Sequence, residues 1–337
     1  MKYRYKRIFL RIPFARLTIG WMKKIRFKKH ENVSLYKIVK LFLRNLMQDE
    51  ILDRANGVAF NFILAIFPAI IFLFTLIPYV SNFFPEITTD SIMVFLGEMI
   101  PTNMYEVIST TVLDIVSNQR GGLLTFGFLF AVWLSTNGMM ALMRAFNACY
   151  RTTESRGGIK TRLIATFLTI NMAVVLFLAI ILLIVGQVVL DYVATHQHLV
   201  DLSDFTVFLI FVLRFVVIFI VFFLAISTIY YFGPAVHYNW RFFSIGSIIA
   251  AVLCILVSYG FSYYVTNFAT YNKVYGSIGV LIALMAWIQI MAIVLLVGYE
   301  VNATLHDSIR MEALWNTRHN RRIQNSKFKI QDPVSKT

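Results

Sequence analysis

Charge is scarce in this chain. Only 14% of its 337 residues are charged, and just 17 are acidic. A soluble domain carries about 25% charged residues, so a soluble multidomain enzyme is excluded. Cysteine is limited to Cys149 and Cys254, which excludes a disulfide scaffold; free thiols acting as small hydrophobes are expected. Motifs of the HExxH, Walker and GxSxG types are missing. What the chain does have is apolar surface: 58% hydrophobic residues and a mean hydropathy of +0.71. That composition excludes disorder and reads as a multi-span membrane protein.

A spanning helix needs about 20 mostly apolar residues. Six such runs occur, at about 57–80, 121–142, 163–190, 205–232, 242–266 and 275–302. The predicted fold is all-α: a polytopic six-helix transmembrane bundle with an outer helical cap and cytoplasmic interfacial helices. Residues 1–56 read as a basic N-terminal region, 57–302 as the membrane domain and 303–337 as a polar, basic tail, partly helical at most. No signal peptide is expected in 1–56, because its longest apolar stretch near the start, Ile8-Phe9-Leu10, is too short.

Lys and Arg number 15 in residues 1–56, 5 in 143–162 and 7 in 303–337, against Arg120 and Lys273 on the opposite face. Cationic loops resist translocation. Both termini are therefore expected on the cytoplasmic side of the plasma (inner) membrane. The net charge of +14 then follows from topology and from attraction to anionic lipid at that face, and no nucleic-acid partner is needed.

Between the spans, residues 34–48 read as an amphipathic helix with Leu35, Ile38, Val39, Phe42 and Leu46 on one face. It either lies in the interface or packs under the bundle. Residues 8–21 are a weaker version. The long outer segment 81–120 reads as two short helices, broken at Pro101, that cap the outer face.

Polar residues in spans are expensive and are candidate sites. The first span carries Asn61 and a central Pro68, which removes a backbone donor and frees the carbonyl of Leu64. The second contains Ser135, Thr136 and Asn137 before Gly138. These either unwind the helix toward a cavity or allow close helix contact. Arg214 sits in the fourth span and cannot shed its proton. It contacts an anion in a central cavity, snorkels, or pairs with an outer acid such as Asp191. Arg144 and Glu300, at the cytoplasmic ends of the second and sixth spans, are candidates for a structural or gating pair. Gln289 is a candidate for an interhelical bond.

A metal nuclease would need clustered carboxylates or histidines. Only His196 and His198 are close in sequence, on the outer face beside Asp191, Asp201 and Asp204. No metal site, cofactor or catalytic residue is therefore assigned, and an enzyme is not expected.

Four stretches, RANGVAFNFILAIFPAII at 54–71, WLSTNGMMALMRAFNACY at 133–150, YYFGPAVHYNW at 230–240 and YGSIGVLIALMAWIQIMAIVLLVGYEVNA at 275–303, resemble the YihY/BrkB family of bacterial inner-membrane proteins. The resemblance covers about residues 35–305 and implies six spans. The family once carried a ribonuclease BN label, and its molecular activity is unsettled. Its last motif usually reads closer to Gly-Ala-Glu-Leu-Asn, where this chain has Gly298-Tyr299-Glu300-Val301-Asn302. The leading expectation is a transporter, or a protein that handles lipids or envelope components, with a polar cavity for an anionic or amphipathic substrate. The alternative is a non-transporting scaffold or envelope-assembly factor.

Overall fold

The computed structural model describes residues 20–27, 33–48, 50–80, 93, 109–110, 112–115, 118–195, 204–236, 242–267 and 277–331. Two strands and seven long helices organise them. β1 (Arg26–Phe27) pairs antiparallel with β2 (Val33–Ser34). The helices are α1 (Leu35–Gln48), α2 (Ile51–Val80), α3 (Gly121–Cys149), α4 (Gly158–Thr195), α5 (Asp204–Phe232), α6 (Ile245–Asn267) and α7 (Ser277–Gln331). Six of them, α2 to α7, are long and apolar enough to cross a membrane. The all-α, six-span expectation therefore holds. Most of the 81–120 cap lies outside the described residues, as do His196 and His198.

The chain divides into two compact units, Ile51–Tyr299 and a second made of Met1–Glu50 with Glu300–Thr337. In the first unit α2 and α3 form the most extensive helix pair, and α3–α4, α4–α5 and α5–α6 are neighbours in turn. The contact faces are built from small residues: Ala55, Ala59 and Ala65 on α2, Ala131, Ala141 and Ala145 on α3. In hydrocarbon there is no water to expel between helices, so close approach of backbones supplies the attraction instead. Gly127 shows the closeness. A Cβ there would sit 3.3 Å from the backbone nitrogen of Phe72. The opposite faces carry exposed Phe60, Phe67, Leu129, Trp133, Phe167 and Ile170, as a lipid-facing surface requires.

α5, α6 and α7 meet at a tighter point. A Cβ on Gly298 would lie 2.6 Å from both the Ala250 Cβ and the Tyr230 hydroxyl. Tyr230 donates its hydroxyl to the Leu295 carbonyl at 2.6 Å. Its ring packs edge-on against Phe146 and Tyr299, with centroids 5.4 Å away in each case. Tyr299 is fully buried and lies 4.4 Å from the Phe146 ring. The bulky side chain is thus accommodated by an aromatic cluster.

In the second unit the β1–β2 ribbon leads directly into α1, with the Leu35 amide donating to the Ile25 carbonyl. Leu41 and Asn45 are the most buried positions of α1, and Asn45 bonds to side chains of α7. Lys37 also donates to Glu312 of α7. This amphipathic helix thus packs against α7 through Lys37 and Asn45. The tail also differs from expectation. α7 continues without a break through residues 303–331, with Ala303, Thr304 and Ser308 buried.

Candidate functional site

α2 and α3 enclose an open recess of about 260 Å³, lined by Arg54, Gly57, Val58, Asn61, Ala141, Arg144, Ala145 and Ala148. The lining follows from helical spacing. Positions 54, 57, 58 and 61 share one face of α2, and 141, 144, 145 and 148 share one face of α3. Gly57 and the three alanines leave the space, and the two arginines and the asparagine supply polarity. Asn61 donates back to the Gly57 carbonyl at 2.7 Å, which holds its amide against α2. Arg54 Nη1 lies 3.9 Å from the buried Cys149 sulfur. Among the described residues, no carboxylate is within ion-pair distance of Arg54 or Arg144. The recess is therefore a small cationic cleft with guanidinium and amide donors, suited to a carboxylate or phosphate.

The sequence-predicted residues are distributed as follows. Asn61 and Arg144 come together in this recess. Pro68 is buried within α2, whose helical assignment runs unbroken across it. Ser135, Thr136 and Asn137 lie in the unbroken α3, so the unwound alternative does not hold. Thr136 is 1% exposed, and a Cβ on Gly138 would come within 2.9 Å of the Phe62 ring. Close contact with α2 is thus the reason for these small and polar residues, and it outweighs their weak helix propensity. Arg214 falls in α5, with its side chain outside the described residues. Glu300 is fully buried, and its Oε1 accepts from Asn45 Nδ2 at 2.8 Å and from Thr304 Oγ1 at 2.9 Å. Gln289 does make an interhelical bond, donating to Asn56 of α2.

Three residues were missed by sequence reasoning. Arg54 looked like part of the basic N-terminal count, whereas α2 begins at Ile51 and carries it on a helix face. Arg162 was assigned to a loop, whereas α4 begins at Gly158. There its guanidinium stacks on Trp133, with Cζ 3.4 Å from the ring centroid. Asn147 bonds Glu154 at 2.9 Å and accepts from the Ala235 amide at 2.7 Å. Arg156 completes this clamp through Glu154 and the carbonyls of Phe232 and Gly233. The Arg156 hydrogen bonds hold the Glu154 carboxyl below the usual carboxylate range. Together these groups fasten the 150–157 connection to the turn after α5. No group of three or more metal-ligating side chains occurs among the described residues.

Comparison with known proteins places the chain in a family. Residues 42–323 match the virulence factor BrkB family. YfkH of Bacillus subtilis (strain 168), a protein named for a likeness to ribonuclease, is 32% identical over 75% of this chain and 90% of its own length. A UPF0761 membrane protein of Kangiella koreensis is 28% identical over 57% of this chain and 45% of its own length. A second, RSc1559 of Ralstonia nicotianae, is 26% identical over 85% of this chain and 62% of its own length. The chain thus spans less than two thirds of these two UPF0761 relatives. No solved structure matches. The family match over most of the chain, with six apolar helices, makes this protein a multi-pass membrane protein of the virulence factor BrkB family.

Proposed function

We propose that the protein binds an anionic amphiphile, a lipid or lipid-like envelope component, at the α2–α3 recess and handles it within the bacterial inner membrane. The observation that carries this reading is the recess itself: Arg54 and Arg144 converge on one space whose lining contains no acid. Two like charges on facing helices repel each other. An anionic ligand offsets that repulsion. The basic excess in 1–56, 143–162 and 303–337 supports placing both termini, and the recess mouth, on the cytoplasmic side. Arg214 remains a candidate second contact on α5.

The test is mass spectrometry of lipids and small anions that copurify with the protein. An anionic species retained by the wild type and lost in the Arg54→Gln/Arg144→Gln double variant supports the reading. Identical bulk-like profiles in both overturn it. Reconstituted vesicles with a labelled form of that species then separate transfer from simple binding.

A scaffold role is the second reading, favoured by the close packing of Thr136 and Gly138 against α2. The ribonuclease likeness in the Bacillus relative's name finds less support in the recess. Its lining offers guanidinium and amide donors but no carboxylate or imidazole for metal binding or proton transfer.

A further inference from the structure

Arg162 occupies an unusual place for a cation. It is the fifth residue of α4, yet its guanidinium reaches the middle of α3. Trp133, on which it stacks, lies about four helical turns before Cys149, roughly 24 Å along the helix. The long Arg162 side chain therefore brings its charge from the first turns of α4 to the exposed face of α3 at Trp133. Its nearest polar contacts are long: 3.5 Å from Nη2 to the Trp133 carbonyl and 3.9 Å from Nη1 to the Met140 sulfur. Among the described residues, no carboxylate lies within ion-pair distance of it.

We propose that Arg162 and Trp133 form a lateral binding site for the phosphate of an anionic phospholipid, entered from the bilayer between α3 and α4. Stacking uses the face of the guanidinium and fixes its plane, while the N–H donors on its edge remain available to a phosphate. The rim selects a lipid over a soluble anion. Ile159, Leu163 and Trp133 are all more than half exposed, and they offer acyl chains an apolar surface on either side of the charge.

The site is separate from the α2–α3 recess. Arg162 touches Trp133 and Met140, whereas the recess uses Ala141, Arg144, Ala145 and Ala148. Arg144 does share the α3 stripe of Trp133, Asn137 and Met140, at spacings of four, three and four. The lateral site stands whether or not the recess carries cargo.

The test is native mass spectrometry of the full chain in detergent, titrated with phosphatidylglycerol, phosphatidylcholine or inorganic phosphate. The wild type should hold one phosphatidylglycerol about tenfold more tightly than phosphatidylcholine, the loss expected for one charge-assisted contact. Arg162→Gln should lose that one phosphatidylglycerol, whatever the recess holds. Arg162→Lys, which keeps the charge but not the fork, should retain part of the preference, and its thermal midpoint reports whether the fold is intact. Arg44→Gln, an exposed cation outside both sites, should leave the bound phosphatidylglycerol unchanged. Unchanged preference in both Arg162 variants overturns the proposal. So does inorganic phosphate that binds as tightly as phosphatidylglycerol, since the ligand is then a free anion.

Discussion

Gly298 is the residue at which a single atom matters most. A Cβ there would be 2.6 Å from both Ala250 and the Tyr230 hydroxyl, so α6 or α5 must move to admit it. Gly298→Ala should destabilise the protein by about 1–3 kcal/mol through overpacking, seen as a lower thermal midpoint in detergent. An unchanged midpoint would mean the three helices are not in contact as described. Glu154 gives a pH signature. Its carboxyl is held below the usual range, chiefly by Arg156. The stabilisation is therefore complete above the unfolded-state value and is lost as pH falls through the lowered folded value. Wild type should lose stability on acidification more steeply than Glu154→Gln, and melts between pH 7 and pH 3 would show it. Parallel curves would remove Glu154 from the clamp. Asn45 makes a third case. Asn45→Ala deprives the buried Glu300 of a donor and should cost about 1–3 kcal/mol, whereas the same change at exposed Arg44 should be nearly silent.

At the scale of elements, the distinction between a broken and a continuous α3 is directly testable. The run Ser135-Thr136-Asn137-Gly138 looks like a helix break on propensity, yet tertiary contact with α2 holds it helical. Ser135→Pro should therefore remove a needed backbone hydrogen bond and cost about 3 kcal/mol or more. A well-folded, fully expressed Ser135→Pro protein would instead show a helix that is open there. α1 teaches the same lesson from the other direction. Its apolar periodicity was legible, but the partner that covers it was not. The position that matters, Asn45, is polar and so does not stand out in a hydrophobic pattern. The amide is buried because it meets a buried carboxylate on α7, some 255 residues away in sequence.

For the whole molecule, orientation is the property with the simplest readout. Single cysteines introduced at Lys24 and at Lys336 should be labelled by a membrane-impermeant thiol reagent only after the inner membrane is permeabilised. One placed at Lys273 should react in cells with only the outer barrier open. Labelling of all three from outside would overturn the assignment of both termini to the cytoplasmic face. The expectation rests on the concentration of Lys and Arg in 1–56, 143–162 and 303–337.

The number of spans, their approximate limits and the membrane class needed only composition and run length, because about 20 apolar residues cannot be hidden in water. Asn61, Arg144 and Gln289 were also found that way, since a polar group in an apolar run stands out by cost alone. Residues whose meaning depends on a neighbour could not be found so. Arg54 and Arg162 sat at the edges of runs and were counted as loop charge. Tertiary structure decided that one lines a recess and the other stacks on the Trp133 indole of α3. Helix register and the offset between α3 and α4 fix those partners. Both arise from contacts between residues far apart in the chain, which hydropathy, a local quantity, does not contain.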